Sequence, residues 1–583
     1  MRAPWLLAFL VPTLAAGAEV DTDATVPAWR DPHPVRVHAI GHYRMLSPRN
    51  GWTDPVPALG EQDDPAALGK ANARLAKGFL DRYIDRIEAW HAAHSTPPEG
   101  LLPWLKTHPD VRRELWSAID PRFDDAPKAL AIIDTLRLKD PQKLSTYRHL
   151  AVAMAVVHDV PEATASSRRC FLWGIQEQQF SPSLEWPALW DYFTDPKNQA
   201  GMVFNPRELA WPLMTHLVDL DVSQEEITWA RTTHGKGKHE VEPLYAEVPY
   251  DNGKLKRQKT ALGDLPYTLA NLVDRGGVCV DQAHYASRMA KIFGVPAVKC
   301  GGAGRYGGAG HSWAGYLGMD PRTHAPVLEF TGRYQFDYYY TGTAFDPQTQ
   351  TEILDRHVAL MYDGVTGKYE TYRDASLLTR AAIALEKDQP VLSLLIVREA
   401  VQTNAYVADA WRLLMRLAVA GTLPVKDADR LYHTMLRALA KHPDLGLECL
   451  RLYQTALAKE KPDVRQRLYT EAYQVFGQAK RPDLQIAARS DQLADLAAAG
   501  RSREVLVLAF ETVGANVKEG SLIMPLVKQL VELTQQFAKT VKGFRADLVK
   551  QALNKFANDF PKERGDEISP AWVEYQELVK ALP

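Results

Sequence analysis

The sequence predicts a multidomain, mainly α-helical protein with a small central α+β domain, a helix against an antiparallel sheet, flanked by α-helical domains. Three observations predict it. The 583-residue chain exceeds what one compact core holds, and typical domain sizes suggest roughly three or four units. The apolar residues change period from helical to alternating near residue 241 and back near residue 374. A helical repeat then marks the C-terminal part.

The N-terminus comes first. Arg2 supplies a positive charge, residues 5–16 are almost wholly apolar, and Ala16-Gly17-Ala18 gives the small-x-small pattern that signal peptidase reads. Residues 1–18 are expected to be a signal peptide and the mature protein to be exported, periplasmic or extracellular. About 12 apolar residues cannot span a bilayer as a helix, which needs roughly 20. No later segment is long and apolar enough, so no integral membrane segment is expected after signal removal. With 69 basic and 71 acidic residues the net charge is −2, which argues against a broad basic surface and hence against a nucleic-acid partner.

Residues 19–62, rich in proline and without a sustained period, read as an extended lead-in. Asp64-Pro65 looks like an N-cap with proline at the first helical position, and Leu75, Phe79, Tyr83, Ile84 and Ile87 follow at helical spacing. Further helical stretches near 128–138, 142–159 and 206–219 complete an α-helical domain over 63–235. The central domain spans 236–350. Residues 241–250 read as a strand, 260–274 as a helix, and a second helix runs from Cys279 to Phe293. Strands are expected after Gly294 and at 311–317, 326–331 and 338–345.

Residues 371–583 form the repeat region. Lys441-His442-Pro443-Asp444-Leu445 is echoed 39 residues later by Lys480-Arg481-Pro482-Asp483-Leu484, with Pro462 midway and Asn404 at a similar helix start before Trp411. The unit is a helical hairpin of tetratricopeptide-like size, although the tetratricopeptide consensus is not met. Such an array offers a groove for a protein partner or serves as a packing appendage, and the sequence leaves both readings open.

The four cysteines, Cys170, Cys279, Cys300 and Cys449, are far apart and lack CxxC spacing, so neither a disulfide framework nor a structural zinc site is expected. Cys279 follows Gly276-Gly277 and opens a helix. Unpaired N–H groups and the helix dipole favour a thiolate there, and the thiolate is the reactive form. In Gly310-His311-Ser312-Trp313, alternation puts His311, Trp313, Gly315 and Leu317 on one strand face. A hairpin centred on Asp320 would set His311 opposite Glu329, with Cβ atoms roughly 5 Å apart. A nucleophile, a base and an orienting acid would then lie in line, as in thiol hydrolases.

Together Gly277-Val278-Cys279-Val280-Asp281-Gln282-Ala283, Gly294-Val295-Pro296-Ala297 and Gly310-His311-Ser312-Trp313 resemble the transglutaminase-like superfamily, over residues 240–345. The resemblance implies a papain-like thiol fold with Cys279 as nucleophile, His311 as base and Glu329 as the acid. The family usually has aspartate at the last position, so Glu329 is a departure, and Asp337 and Asp346 are the second choices. It implies an exported cysteine enzyme acting on amide bonds of a peptide or protein substrate, by hydrolysis or acyl transfer, with no metal or organic cofactor. Gln282 and Trp229 are candidate oxyanion donors. The alternative is a non-catalytic scaffold with a degenerate module; a Cys279–Cys300 disulfide is a third reading. Gly302-Ala303-Gly304-Arg305-Tyr306-Gly307 satisfies GxGxxG, but a strand and not a helix is expected after it, so no dinucleotide site is read there. His284, on the helix after Cys279, reads as a packing or solvated histidine.

Overall fold

Phe79, Tyr83, Ile84 and Ile87 recur on one face and bury it, which makes residues Ala73–His94 a helix (α1). The computed structural model describes residues 73–160, 179–235, 240–253, 261–302, 304–305, 310–323, 325–333, 340–366, 369–459, 462–564 and 567–583. The expected signal peptide, the lead-in, Asp64-Pro65, Cys170 and Asp337 lie outside them. The chain is mainly helical, with one small five-stranded antiparallel sheet. Among the described residues no helix is long and apolar enough to cross a membrane.

The helices expected near 128–138, 142–159 and 206–219 are found with shifted bounds. They are α2 (Ala126–Lys139), a short helix Pro141–Thr146 followed by α3 (Arg148–His158), and α4 (Trp211–Val218). The strand expected at 241–250 is absent. A single helical turn, α5 (Leu244–Glu247), stands there, because Tyr245 turns inward and its hydroxyl donates to the Ser312 carbonyl at 2.7 Å. Of the helix expected at 260–274, α6 (Leu269–Arg275) forms, capped by the Thr268 hydroxyl accepting from the Asn271 N–H.

Helix α7 (Cys279–Ile292) is buried on every side from Val280 to Ile292, beyond the single apolar face its sequence suggests. Its polar positions are tolerated because they are paired. Arg288 meets Asp221 at 2.7 Å and Lys291 meets Asp219 at 2.6 Å, both carboxylates coming from the segment after α4. Burial still pulls Lys291 below the ordinary lysine range.

The sheet consists of β1 (Ala297–Gly302), β2 (His311–Met319), β3 (Pro326–Thr331), β4 (Thr343–Asp346) and β5 (Thr351–Leu354), in the order β3-β2-β1-β4-β5. The fifth strand had no counterpart in the sequence reading. Helix α8 (Asp355–Val365) follows it directly. The expected hairpin register is corrected here. Tyr316, not His311, faces Glu329, and the pairing runs to Met319 opposite Pro326. The turn is wider than one centred on Asp320: the Asp320 carboxylate accepts the N–H groups of Arg322 and Thr323, both at 2.8 Å, and its own N–H donates to Ala325. The shift is an odd number of residues, which moves Glu329 to the other face of the sheet.

The C-terminal helices α9 (Ala408–Val419), α10 (Val425–Ala438), α11 (Pro443–Ala456), α12 (Pro462–Gln478), α13 (Pro482–Ala498), α14 (Ser502–Asn516) and α15 (Met524–Thr540) follow one another through short connections. Pro443, Pro462 and Pro482 each open a helix, where a missing N–H does no harm. Asn404 instead ends the preceding helix Pro390–Thr403. The repeated motif has a physical task. The basic residue before Pro443 and the one before Pro482 each reach back to an earlier carboxylate: His442 to Asp363 of α8 at 2.8 Å, Arg481 to Asp444 of α11 at 2.6 Å. One buried apolar cluster runs without a break from Phe79 through the sheet to Ala488, and a second fills the last helices from Ile486 to Leu582. The central sheet thus shares its core with the helices on both sides.

Candidate active site at the start of a buried helix

The chain enters α7 through Gly276 and Gly277. Gly276 has φ 80° and packs so closely on the Pro249 carbonyl that a Cβ would sit 2.6 Å from it. Gly277 donates to the same carbonyl at 2.9 Å, and its own carbonyl accepts from Asp251 at 2.8 Å. Val278 is the N-cap residue. Its N–H donates to the Asp281 carboxylate at 2.8 Å, and the other oxygen of that carboxylate takes the Tyr267 hydroxyl at 3.0 Å. Asp281 is completely buried. Cys279 is therefore the first residue of the helix, in the orientation the sequence predicts, and it is partly buried.

The thiol meets opposing influences. Burial pushes it up from the ordinary value, and the Asp281 charge adds to this; the backbone N–H groups of Ser312, Val280 and Cys279 itself lie at the sulfur and pull it down. Burial prevails, so the resting group is the protonated thiol. Tyr245 clamps the two elements together, its hydroxyl donating to the Ser312 carbonyl and lying 3.4 Å from that of Cys279.

His311 opens β2 opposite Gly302, and Trp313 stands opposite Cys300, so the predicted shared face of His311 and Trp313 is present. The imidazole Nε2 lies 2.6 Å from the Gly332 carbonyl. A carbonyl only accepts, so Nε2 carries a proton. Gly332 has φ 74°, and a Cβ on it would fall inside the Tyr245 ring, which itself meets the His311 ring edge-on at 6.3 Å. The Arg333 guanidinium covers the rings of Phe330 at 4.5 Å and Trp313 at 5.3 Å. Among the described residues no hydrogen bond joins the Cys279 thiol to the imidazole.

The structure thus brings Cys279 beside the start of the His311 strand, and it does not bring Glu329 to His311. Glu329 lies on the opposite sheet face, across from Tyr316; burial and then this carboxylate push Tyr316 upward. Asp346 is no substitute: it sits at the far end of β4, accepting from the Gln348 N–H at 3.1 Å and the Thr349 hydroxyl at 2.8 Å. Nε2 of His311 meets the Gly332 carbonyl, and Asp337 lies outside the described residues. Gln282 is tied by its amide N–H to the Val248 carbonyl at 2.9 Å, and Trp229 packs edge-on against His234 at 6.0 Å. His284 is a buried packing residue against Tyr267. Cys279 and Cys300 are both free, so the disulfide reading is not realised, and a strand, β2, does follow the glycine-rich loop.

Tyr245, Tyr267, Asp281 and Gly332 were missed as site residues. Asp281 had a legible signal, an acid three residues after the N-cap. Tyr245 had none, since its turn was read as strand. Comparison with family models, with curated proteins and with solved structures gave no match.

Proposed function

We propose that the chain is an exported, transglutaminase-like cysteine enzyme that acts on amide bonds, with Cys279 as nucleophile and His311 as base. The observation that carries this reading is the placement of Cys279 at a helix N-terminus, bridged by the Tyr245 hydroxyl to Ser312, the residue next to His311. The order of the three motifs supports the family, and Arg2 with the apolar run to Ala16 supports export.

In the reaction, Nδ1 of His311 takes the thiol proton as sulfur adds to the amide carbonyl carbon. The oxyanion forms at the helix N-terminus, beside the peptide N–H of Cys279. Collapse breaks the C–N bond, and the imidazolium gives its proton to the departing amine. The thioester then yields to water in a peptidase or amidase, or to an amine in acyl transfer. The Gly332 carbonyl orients the imidazole through Nε2.

The test is turnover of a denatured protein substrate by the purified chain, with and without an added primary amine. Wild type should release new amino termini or incorporate the amine, and Cys279→Ala should do neither. Equal turnover by wild type and Cys279→Ala would sink the proposal. A second reading, a scaffold built on a degenerate module, is favoured by the placement of Glu329 away from His311. It requires a partner bound equally well by both forms and no turnover by either.

A further inference from the structure

The three residues Glu519-Gly520-Ser521 lie between α14 and α15, at the kink of the 3-10 stretch Val517–Ile523, far along the chain from the catalytic pair. It nevertheless packs on the two loops that flank His311. Ser521 donates its N–H to the Arg305 carbonyl at 2.5 Å and its hydroxyl to the Gly304 carbonyl, both in the connection leading into β2. Gly520 approaches the same peptide so closely that a Cβ would land on the Arg305 carbonyl, with Pro561 behind it at 2.8 Å; its φ of 58° and ψ of −116° suit glycine. Glu519 accepts from the Tyr340 hydroxyl at 2.9 Å in the connection after β3. The Tyr340 carbonyl in turn accepts from Arg333 and from Arg356, the latter at 2.9 Å, and Arg333 follows Gly332, whose carbonyl holds the His311 ring.

We infer that Glu519, Gly520 and Ser521 are positioning residues for His311, so that the C-terminal array completes the active site instead of merely packing beside it. This rests on the reading of Cys279 and His311 as a catalytic pair. The argument is geometric. His311 begins its strand a few residues after Arg305, and its ring is held by Gly332, directly after β3. One turn from the other end of the chain binds Gly304 and Arg305 through two hydrogen bonds and Tyr340 through one. A Cβ at Gly520 would land on the Arg305 carbonyl. Such a contact moves the imidazole relative to the sulfur, and a misplacement of about 1 Å at a catalytic pair costs on the order of a hundredfold in rate.

The experiment uses the full chain without any substrate. Alkylation of Cys279 by iodoacetamide is followed by mass spectrometry from about pH 6 to about pH 9.5. His311→Ala should remove the part of the profile that depends on the imidazole. Gly520→Ala should reproduce that loss, lowering the rate near neutrality about tenfold while leaving the alkaline limb and the circular dichroism spectrum unchanged. Ser521→Ala and Tyr340→Phe should shift the profile the same way by less, and Ser521→Thr, which keeps the hydroxyl, should restore it. Should Gly520→Ala not fold, Ser521→Ala and Tyr340→Phe decide. Wild-type profiles in all the folded variants, with a changed profile in His311→Ala, overturn the positioning role alone. An unchanged profile in His311→Ala overturns the catalytic pair, and the positioning role falls with it.

Discussion

On the helix side of the Cys279 sulfur, a Val278 N–H and a Tyr267 hydroxyl converge on the fully buried Asp281 carboxylate, whereas on the strand side His311 is held by one peptide carbonyl, that of Gly332. The first side has a full negative charge two residues from the thiol. The second meets a peptide dipole at Nε2. The helix side is therefore rigid but opposes the thiolate, and the strand side orients the imidazole through Nε2.

The largest effect follows from removing the charged side of that comparison. Asp281→Ala leaves two buried donors without an acceptor and should lower the unfolding free energy by about 3 kcal/mol, read from the denaturant midpoint. Asp281→Asn keeps an acceptor for Val278 and removes the charge, so it should lower the pH at which Cys279 is alkylated. If Asp281→Asn leaves that pH where it was, the carboxylate is not what opposes the thiolate.

Next is the carbonyl side. Gly332→Ala places a Cβ in the Tyr245 ring at a φ that only glycine adopts readily, and should cost about 2 kcal/mol of stability. The His311 acceptor moves with it. Cys279 alkylation near neutral pH should then fall toward the His311→Ala level, and a wild-type rate would show that the carbonyl does not hold the base.

A smaller effect concerns pH. Burial raises the Cys279 thiol in the folded chain, so the proton is held more tightly than in the unfolded one. The associated stability is fully present below the unfolded thiol value of about 8.5 and is lost as pH rises through the higher folded value. Cys279→Ala should therefore flatten the decline in stability on the alkaline side, measured by thermal unfolding in buffers above about pH 8.5. A steeper decline in the variant would mean that the folded thiol is depressed, and the resting pair charged.

What the sequence made legible divides along the same line. The start of α7 was readable because its determinants are local: two glycines, a cysteine and an acid within a few residues. The repeat at Pro443 and Pro482 was readable for a similar reason, and its Arg481–Asp444 contact shows why the motif recurs. The partner of His311 was not readable, because it depends on the width of one turn. Asp320 capping the N–H groups of Arg322 and Thr323 widened the hairpin and changed the strand face that Glu329 occupies. Contacts across hundreds of residues, such as Ser521 on Arg305, leave no local trace at all.

The smallest expected effect tests that same hairpin. With Glu329 opposite Tyr316 on the face away from His311, Glu329→Gln should leave the Cys279 alkylation profile unchanged and alter stability by under about 0.5 kcal/mol. The neutral amide no longer repels the phenolate, so Tyr316 should ionise at lower pH, visible in the tyrosinate absorbance on alkaline titration. The register alone decides between outcomes. Were His311 and Glu329 cross-strand neighbours, the variant would behave as a loss of the orienting acid, with the imidazole-dependent part of the alkylation profile displaced and Tyr316 untouched.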